Sequence, residues 1–196
     1  MIPRRLILAS ASPRRQSLLR EAGYQFLVCP ADLDEDRLTA EARLSPDDLP
    51  SYLARAKARA VSAQFPGDVV LAADTVVALG DQIIGKAAAA ADARRILSML
   101  SGTRHRVITG IVVVSDSGVD SSETVSSAVE MRLLSPGQID SYISTGQWQG
   151  KAGAYGLQDS HSFVEKIEGC ATNIVGLPIT TAGRLLGKAG IYPEKK

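Results

Sequence analysis

The sequence is poor in the features that commit a chain to a specialised class. Its two cysteines, Cys29 and Cys170, form no CxxC pair and no Cys/His cluster, so neither a zinc site nor a disulfide framework is indicated. An excess of one charge is also missing: 22 Lys and Arg stand against 21 Asp and Glu, a formal net charge of +1. That balance excludes a general basic coat for nucleic acid. No apolar run approaches the roughly 20 residues that a membrane-spanning helix needs. Arg4 and Arg5 before Leu6 to Ala11 mimic a short secretory leader, but the apolar stretch is brief and Arg14 and Arg15 follow at once. The expectation is a cytoplasmic chain with no membrane and no nucleic-acid partner. No repeat or low-complexity linker divides the 196 residues, which predicts one domain over 1–196. A chain of this length can bury a core without covalent staples.

What is present alternates between strand and helix patterns. Leu6 to Ala9 reads as a short buried strand, and Ser12-Pro13 opens a helix with serine at the N-cap, proline in the first turn and Gly23 as its stop. Tyr24 to Val28 reads as a strand, followed by an acidic stretch at Asp32, Asp34, Glu35 and Asp36, most simply a solvated loop. Pro46 to Phe65 is helical in pattern, and Val69 to Leu79 is the most apolar run, turning at Gly80-Asp81 into Gln82 to Ile84. Asp92 to Leu100 predicts a helix, Arg106 to Val114 a strand, and Asp116 to Gly118 a turn. The strand after it alternates with Val125, Val129, Met131 and Leu133 on one face. A helix follows from Ser135-Pro136 to Thr145-Gly146, then a strand near Phe163-Val164 and a last helix from Thr180 to Lys188. Mixed order rather than strict alternation predicts an α/β domain with a mixed sheet flanked by helices.

Several segments carry chemistry. In Ser10-Ala11-Ser12-Pro13-Arg14-Arg15, two arginines in a first helical turn oppose the helix dipole, so an anion placed there would favour them. A solvated basic turn is the plain alternative. Asp74 sits inside Val70 to Val77, where a carboxylate loses hydration and needs a partner, a metal or a catalytic task; a structural cap is the alternative. Thr75 places a hydroxyl beside it. Gly80 to Ala87 matches GxxxxGK, yet Ala87 replaces the required Ser or Thr and two isoleucines fill the loop, so a phosphate-binding P-loop is rejected. Lys86 can still reach an anion from the end of that hairpin. The acidic Asp34 to Asp36 stretch offers an alternative use as an oxygen ligand for magnesium, converging on Asp74. His105 and His161 lack ligand spacing, and a surface role is expected for each. Gly150 to Gln158 is a small-residue loop that lets backbone approach a ligand, and the Gln158 amide can both donate and accept. Asn173 to Pro178 reads as a tight turn, functional or core-closing.

Taken together, Leu8 to Arg15, Ala73 to Val76, Gly85-Lys86, Leu100 to Gly102 with His105 and Thr109-Gly110, Lys151 to Gln158, and Gly176 to Pro178 resemble the Maf family along nearly the whole chain. Members are nucleoside triphosphate pyrophosphatases, first described as septum formation inhibitors. The resemblance implies a two-lobed fold related to the inosine triphosphatases with a central cleft, a divalent metal (Mg2+ or Mn2+), a nucleoside triphosphate substrate and a homodimer. It places Asp74 on the proton acceptor and also near the metal with Glu35. It places Ser10, Arg15, Lys57 and Lys86 on phosphate contacts, and Lys151 within a substrate-binding loop. The dTTP/UTP branch is marked by three positions, here Arg14, Thr75 and Gln158; the 7-methyl-GTP branch typically has Trp, Gln and Glu there. A neutral pyrimidine suits the donor/acceptor amide of Gln158, whereas a cationic methylated base favours a carboxylate. The resemblance therefore implies hydrolysis of dTTP and UTP, with house-cleaning of modified nucleotides as a related role. A non-catalytic nucleotide-binding regulator of septation is the rival. Ala87, the run Asp159-Ser160-His161-Ser162 and the pair Cys170-Ala171 depart from the family pattern, the last two beside the expected base pocket.

Overall fold

Eleven consecutive residues of strand, Val69 to Leu79, form the central beam of the molecule. The computed structural model describes residues 4–115, 121–159 and 163–194. In chain order its elements are β1 (Leu6–Leu8), α1 (Pro13–Glu21), β2 (Leu27–Val28), α2 (Glu35–Ala42), α3 (Leu49–Ser62), β3 (Val69–Leu79) and β4 (Gln82–Ile84). Then come α4 (Ala90–Leu100), β5 (Arg104–Val114), β6 (Ser121–Met131), α5 (Pro136–Ser144), β7 (Val164–Glu168), α6 (Ala171–Val175) and α7 (Ile179–Lys188). The strands form one mixed sheet in the order β2-β1-β3-β5-β6-β7, with β4 attached to β3. β1 runs parallel to β2 and β3, and the other pairings are antiparallel.

Because side chains alternate across a strand, β3 feeds both faces of the sheet. Val69, Leu71 and Ala73 pack with Leu18 and Leu19 of α1 and Leu185 and Leu186 of α7. Further along the same face, Val77 packs with Ile96 and Leu97 of α4 and Tyr142 of α5. On the opposite face, Val70 and Ala72 meet Ala54, Ala58 and Val61 of α3, while Val76 and Ala78 meet Leu49 and Leu53 of the same helix. Each face thus carries two apolar clusters, and the gap between them falls at Asp74 on one face and Thr75 on the other.

Helix α3 reaches the sheet closely because Gly110 of β5 has no side chain. A Cβ there would lie 2.3 Å from the Ser51 backbone nitrogen and 2.4 Å from the Pro50 carbonyl carbon. Gly110 pairs directly with Asp74 in the β3–β5 ladder. The glycine therefore sets the height of α3 above the aspartate.

The mixed sheet, the β3–β4 hairpin and the Ser12 and Ser135 caps follow the sequence patterns; Ser12 Oγ accepts from the Arg15 amide and Ser135 forms a capping box with Gln138. Five expectations change. The acidic stretch is not wholly a loop: Asp34 accepts from the Arg37 amide and caps α2, whose first turn holds Glu35 and Asp36. Acidic residues there complement the helix dipole, which explains the helix. Strand β2 keeps only Leu27 and Val28, because β1, its sole partner, is itself three residues long. Helix α3 begins at Leu49 rather than Pro46, after a turn closed by the Asp48 amide on the Ser45 carbonyl. Leu133 leaves the core face and is 82% exposed, because β6 ends at Met131 after a register shift at Glu130/Met131. The Asn173 to Pro178 turn begins as helix α6, closed by Gly176 at φ 115°. The expected Asp116 to Gly118 turn lies outside the described residues.

Candidate active site

The cleft arises where the sheet divides. β1 pairs with β3 only as far as Leu71, and β4 pairs with it only from Val77. Between them, the edge of β3 carrying Asp74 and Thr75 borders a cleft of about 650 Å3. The chain leaving β1 supplies one wall (Ser10 to Arg15) and the Gln149 to Asp159 loop supplies another. A second hollow of about 640 Å3, between α2 and the β3–β4 hairpin, shares Glu35, Asp74, Thr75 and Lys86 with the first. The site occupies the point where parallel strands end and the chain diverges, a place where α/β sheets commonly bind ligands.

Asp74 is 7% exposed and its Oδ1 accepts from Lys57 Nζ at 2.7 Å. The same ammonium donates to Glu35 Oε2, also at 2.7 Å. Lys57 sits on α3 between the residues that fill the two clusters under β3, so the helix aims its one buried amine at the gap. Such burial is tolerated because the charges are paired; removing either partner of a buried pair typically costs about 3–5 kcal/mol.

Arg15 approaches from the opposite face. Its Nε donates to the Gly176 carbonyl at 2.8 Å, Nη1 to Ser10 Oγ at 3.2 Å and Nη2 to Thr75 Oγ1 at 3.0 Å. Burial lowers its pKa from the ordinary 12.5, while the charges of Asp74 and Glu35 act the other way. These contacts revise the expectation that the two arginines need an anion to be accommodated, since carbonyl and hydroxyl oxygens already receive Arg15. Three of its five N–H donors are thereby committed, leaving two for a ligand. Thr75 Oγ1 continues the chain to Thr109 Oγ1 at 2.9 Å. Asn173 of α6, fully buried, donates from Nδ2 to the Val107 carbonyl at 2.9 Å and to Ser127 Oγ at 3.0 Å, fixing the segment that ends in Gly176.

Arg14 lies on the cleft wall, where Nη2 donates to the Gly150 carbonyl at 3.3 Å. Lys86 is exposed and lines both hollows; its backbone bridges to Ala152, joining the hairpin to the loop. Gln158 is exposed at the cleft edge. Lys151 also lines the cleft, but its Nζ is bonded to Asp159. The structure thus gathers Ser10, Arg14, Arg15, Glu35, Lys57, Asp74, Thr75, Lys86, Lys151 and Gln158 around one space.

His105 is a correction. It is 2% exposed, and its Nε2 lies 2.6 Å from the Tyr155 hydroxyl on the cleft wall. Burial pulls the imidazole down to about pKa 4 and raises the Tyr155 phenol. It belongs to β5, in which every residue from Val107 to Val113 is buried, so the strand's apolar run rather than any alternation is the signal beside it. His161 lies outside the described residues. Sequence reasoning also missed Tyr142, Asp159, Gly110 and Asn173 as individual determinants. Their importance comes from partners far along the chain.

Fold and site together define an α/β protein with a buried, lysine-paired carboxylate and a half-buried arginine lining one cleft. The chain belongs to the Maf family: the model for "Maf-like protein" matches residues 5–189. A dTTP/UTP pyrophosphatase of Anaeromyxobacter dehalogenans (strain 2CP-C) is 47% identical over 190 residues, covering 95% of this chain and 94% of that protein. A protein of the same name from Caulobacter vibrioides (strain ATCC 19089 / CIP 103742 / CB 15) is 43% identical over 190 residues, covering 96% and 97%. Among solved structures, a HAM1 protein from Coxiella burnetii superposes with a TM-score of 0.44 at 18% identity, covering 66% of this chain and 73% of that one.

Proposed function

We propose that this chain hydrolyses dTTP and UTP to the nucleoside monophosphate and pyrophosphate. The name dTTP/UTP pyrophosphatase borne by its relatives supports the reading, and so does one observation above the rest. Asp74, buried at the gap of β3, faces the same cleft as Ser10, Arg15, Lys57 and Lys86. Lys57 holds Asp74 Oδ1, which leaves the second carboxylate oxygen to accept a proton from the attacking water. The water adds in line to the α-phosphorus as the bond to the bridging oxygen breaks, and pyrophosphate departs.

The inner charges already balance, with Lys57 and Arg15 against Asp74 and Glu35. A triphosphate therefore needs further positive charge, from Arg14, Lys86 and a divalent ion. Two carboxylates, Glu35 and Asp74, converge here on the Lys57 ammonium, and no group of three or more His, Cys, Asp or Glu suited to a metal occurs among the described residues, so substrate phosphates and water would have to complete the shell of such an ion. Mg2+ is commonly held by one or two carboxylates plus substrate phosphates and water. Glu35 and Asp74 are the residues that would hold Mg2+ or Mn2+, and the ion would supply neutralisation of charge on the phosphates. Gln158 and Arg14 face the base-side wall, where a neutral pyrimidine edge can both accept and donate.

No helix among the described residues is long and apolar enough to cross a membrane, and a cytoplasmic homodimer is the proposed setting. Pyrophosphate release across dTTP, UTP, CTP, ATP and 7-methyl-GTP tests the reading, with dTTP and UTP expected to lead. Saturable nucleotide binding with no pyrophosphate would instead favour a regulator.

A further inference from the structure

The cleft wall opposite the carboxylates is a loop with little regular pairing to hold it. Gly150, Gly153 and Ala154 all take positive φ, at 68°, 72° and 57°. Its first half is tied to the β3–β4 hairpin by the Lys86–Ala152 bridge and by the Gly153 amide on the Gly85 carbonyl at 3.1 Å. Its second half, which ends in Gln158, is held differently. Asp159 Oδ2 accepts from the Tyr142 hydroxyl of α5 at 2.5 Å, and Asp159 Oδ1 accepts from Lys151 Nζ. The Lys151 and Asp159 side chains are only 11% and 10% exposed, and Tyr142 is fully buried. Gly156 closes over the pair: a Cβ there would lie 2.8 Å from both Asp159 Oδ2 and Lys151 Nζ.

We infer that Tyr142, Asp159 and Lys151 form a clasp that fixes Gln158 at the base-side edge of the cleft, making all three positioning residues for nucleobase selection. The inference rests on the pyrophosphatase reading for its choice of ligand. Asp159 is the residue next to Gln158, so the backbone that carries the amide is anchored one residue away from it. The anchor is an ion pair shielded from water and joined to a helix through a hydroxyl, which gives a glycine-rich loop one preferred position. Lys151 acts through Asp159 in this arrangement and not on the phosphates.

The test separates base from phosphate by using two probes on the full chain: α,β-imido-dTTP, which carries a base, and inorganic tripolyphosphate, which does not. Calorimetry on Tyr142→Phe, Asp159→Asn and Lys151→Gln should show about five- to tenfold weaker binding of the nucleotide analogue, the effect of losing about one oriented hydrogen bond. Tripolyphosphate affinity should stay within about twofold. Asp159→Glu, which keeps the charge, should recover part of the loss. Tyr142→Phe keeps its ring, so it serves if the charge variants fold poorly. Unchanged analogue binding in all three variants would overturn the clasp. Weakened tripolyphosphate binding in Lys151→Gln alone would overturn it as well, by placing that ammonium on the phosphates. Pyrophosphate release from dTTP by the unsubstituted chain is measured separately, and its absence would sink the pyrophosphatase reading while leaving the two binding constants to judge the clasp.

Discussion

The two walls of the cleft are built on opposite principles. The carboxylate wall is carried by regular elements: Asp74 by β3, Lys57 by α3, Glu35 by the first turn of α2. Its charges are neutralised within the protein at 2.7 Å contacts, so its geometry is set before any ligand arrives. The opposite wall, where we propose the base lies, is a loop with positive-φ residues whose contacts are an ion pair, two phenols and a buried imidazole. Chemistry needs a fixed carboxylate and cations, whereas selection of a base can be altered by moving a loop.

The comparison can be broken most sharply at Asp74. Asp74→Asn should lower kcat for pyrophosphate release by about 10²–10⁴-fold or more, because the proton acceptor is lost together with the charge that pairs with Lys57. A small change in kcat would move the base elsewhere.

The base-side support should show itself in acid. His105 stays neutral in the fold at about pKa 4, against 6.5 when free. The unfolded chain therefore takes up the proton first, and stability should fall by about 3 kcal/mol as pH drops from about 6.5 to about 4. Urea unfolding across that range, compared with His105→Gln, isolates this contribution; parallel pH curves for the two proteins would refute it.

Under the carboxylate wall, Gly110→Ala forces a methyl against the α3 backbone. It should destabilise the chain by about 1–3 kcal/mol and lower kcat/KM by displacing Lys57, read by denaturant midpoint and by rate. Wild-type stability in this variant would mean that α3 can shift freely. Smallest of all, Leu133→Ser should change stability by less than about 0.5 kcal/mol, because the side chain is already exposed, and melting temperature suffices to check it.

Local signals in the sequence were enough for the frame. Serine before proline announced α1 and α5, Gly80-Asp81 announced the hairpin, and an apolar run with a single carboxylate announced both β3 and its unusual aspartate. These depend on neighbours a few residues away, where propensity and capping operate. The similarity of short motifs in order pointed to the family and so to Lys57, which pattern alone does not distinguish from other helical lysines. What the tertiary structure alone decided was pairing and burial. Lys57 meets Asp74 across 17 positions, Arg15 meets Thr75 across 60, and His105 meets Tyr155 across 50. Asp159 read as a departure in a loop, and the structure pairs it with Lys151 and the Tyr142 hydroxyl. The charge cost of each such group depends on which distant segments exclude water from it, and that is a property of the folded packing rather than of any stretch of chain.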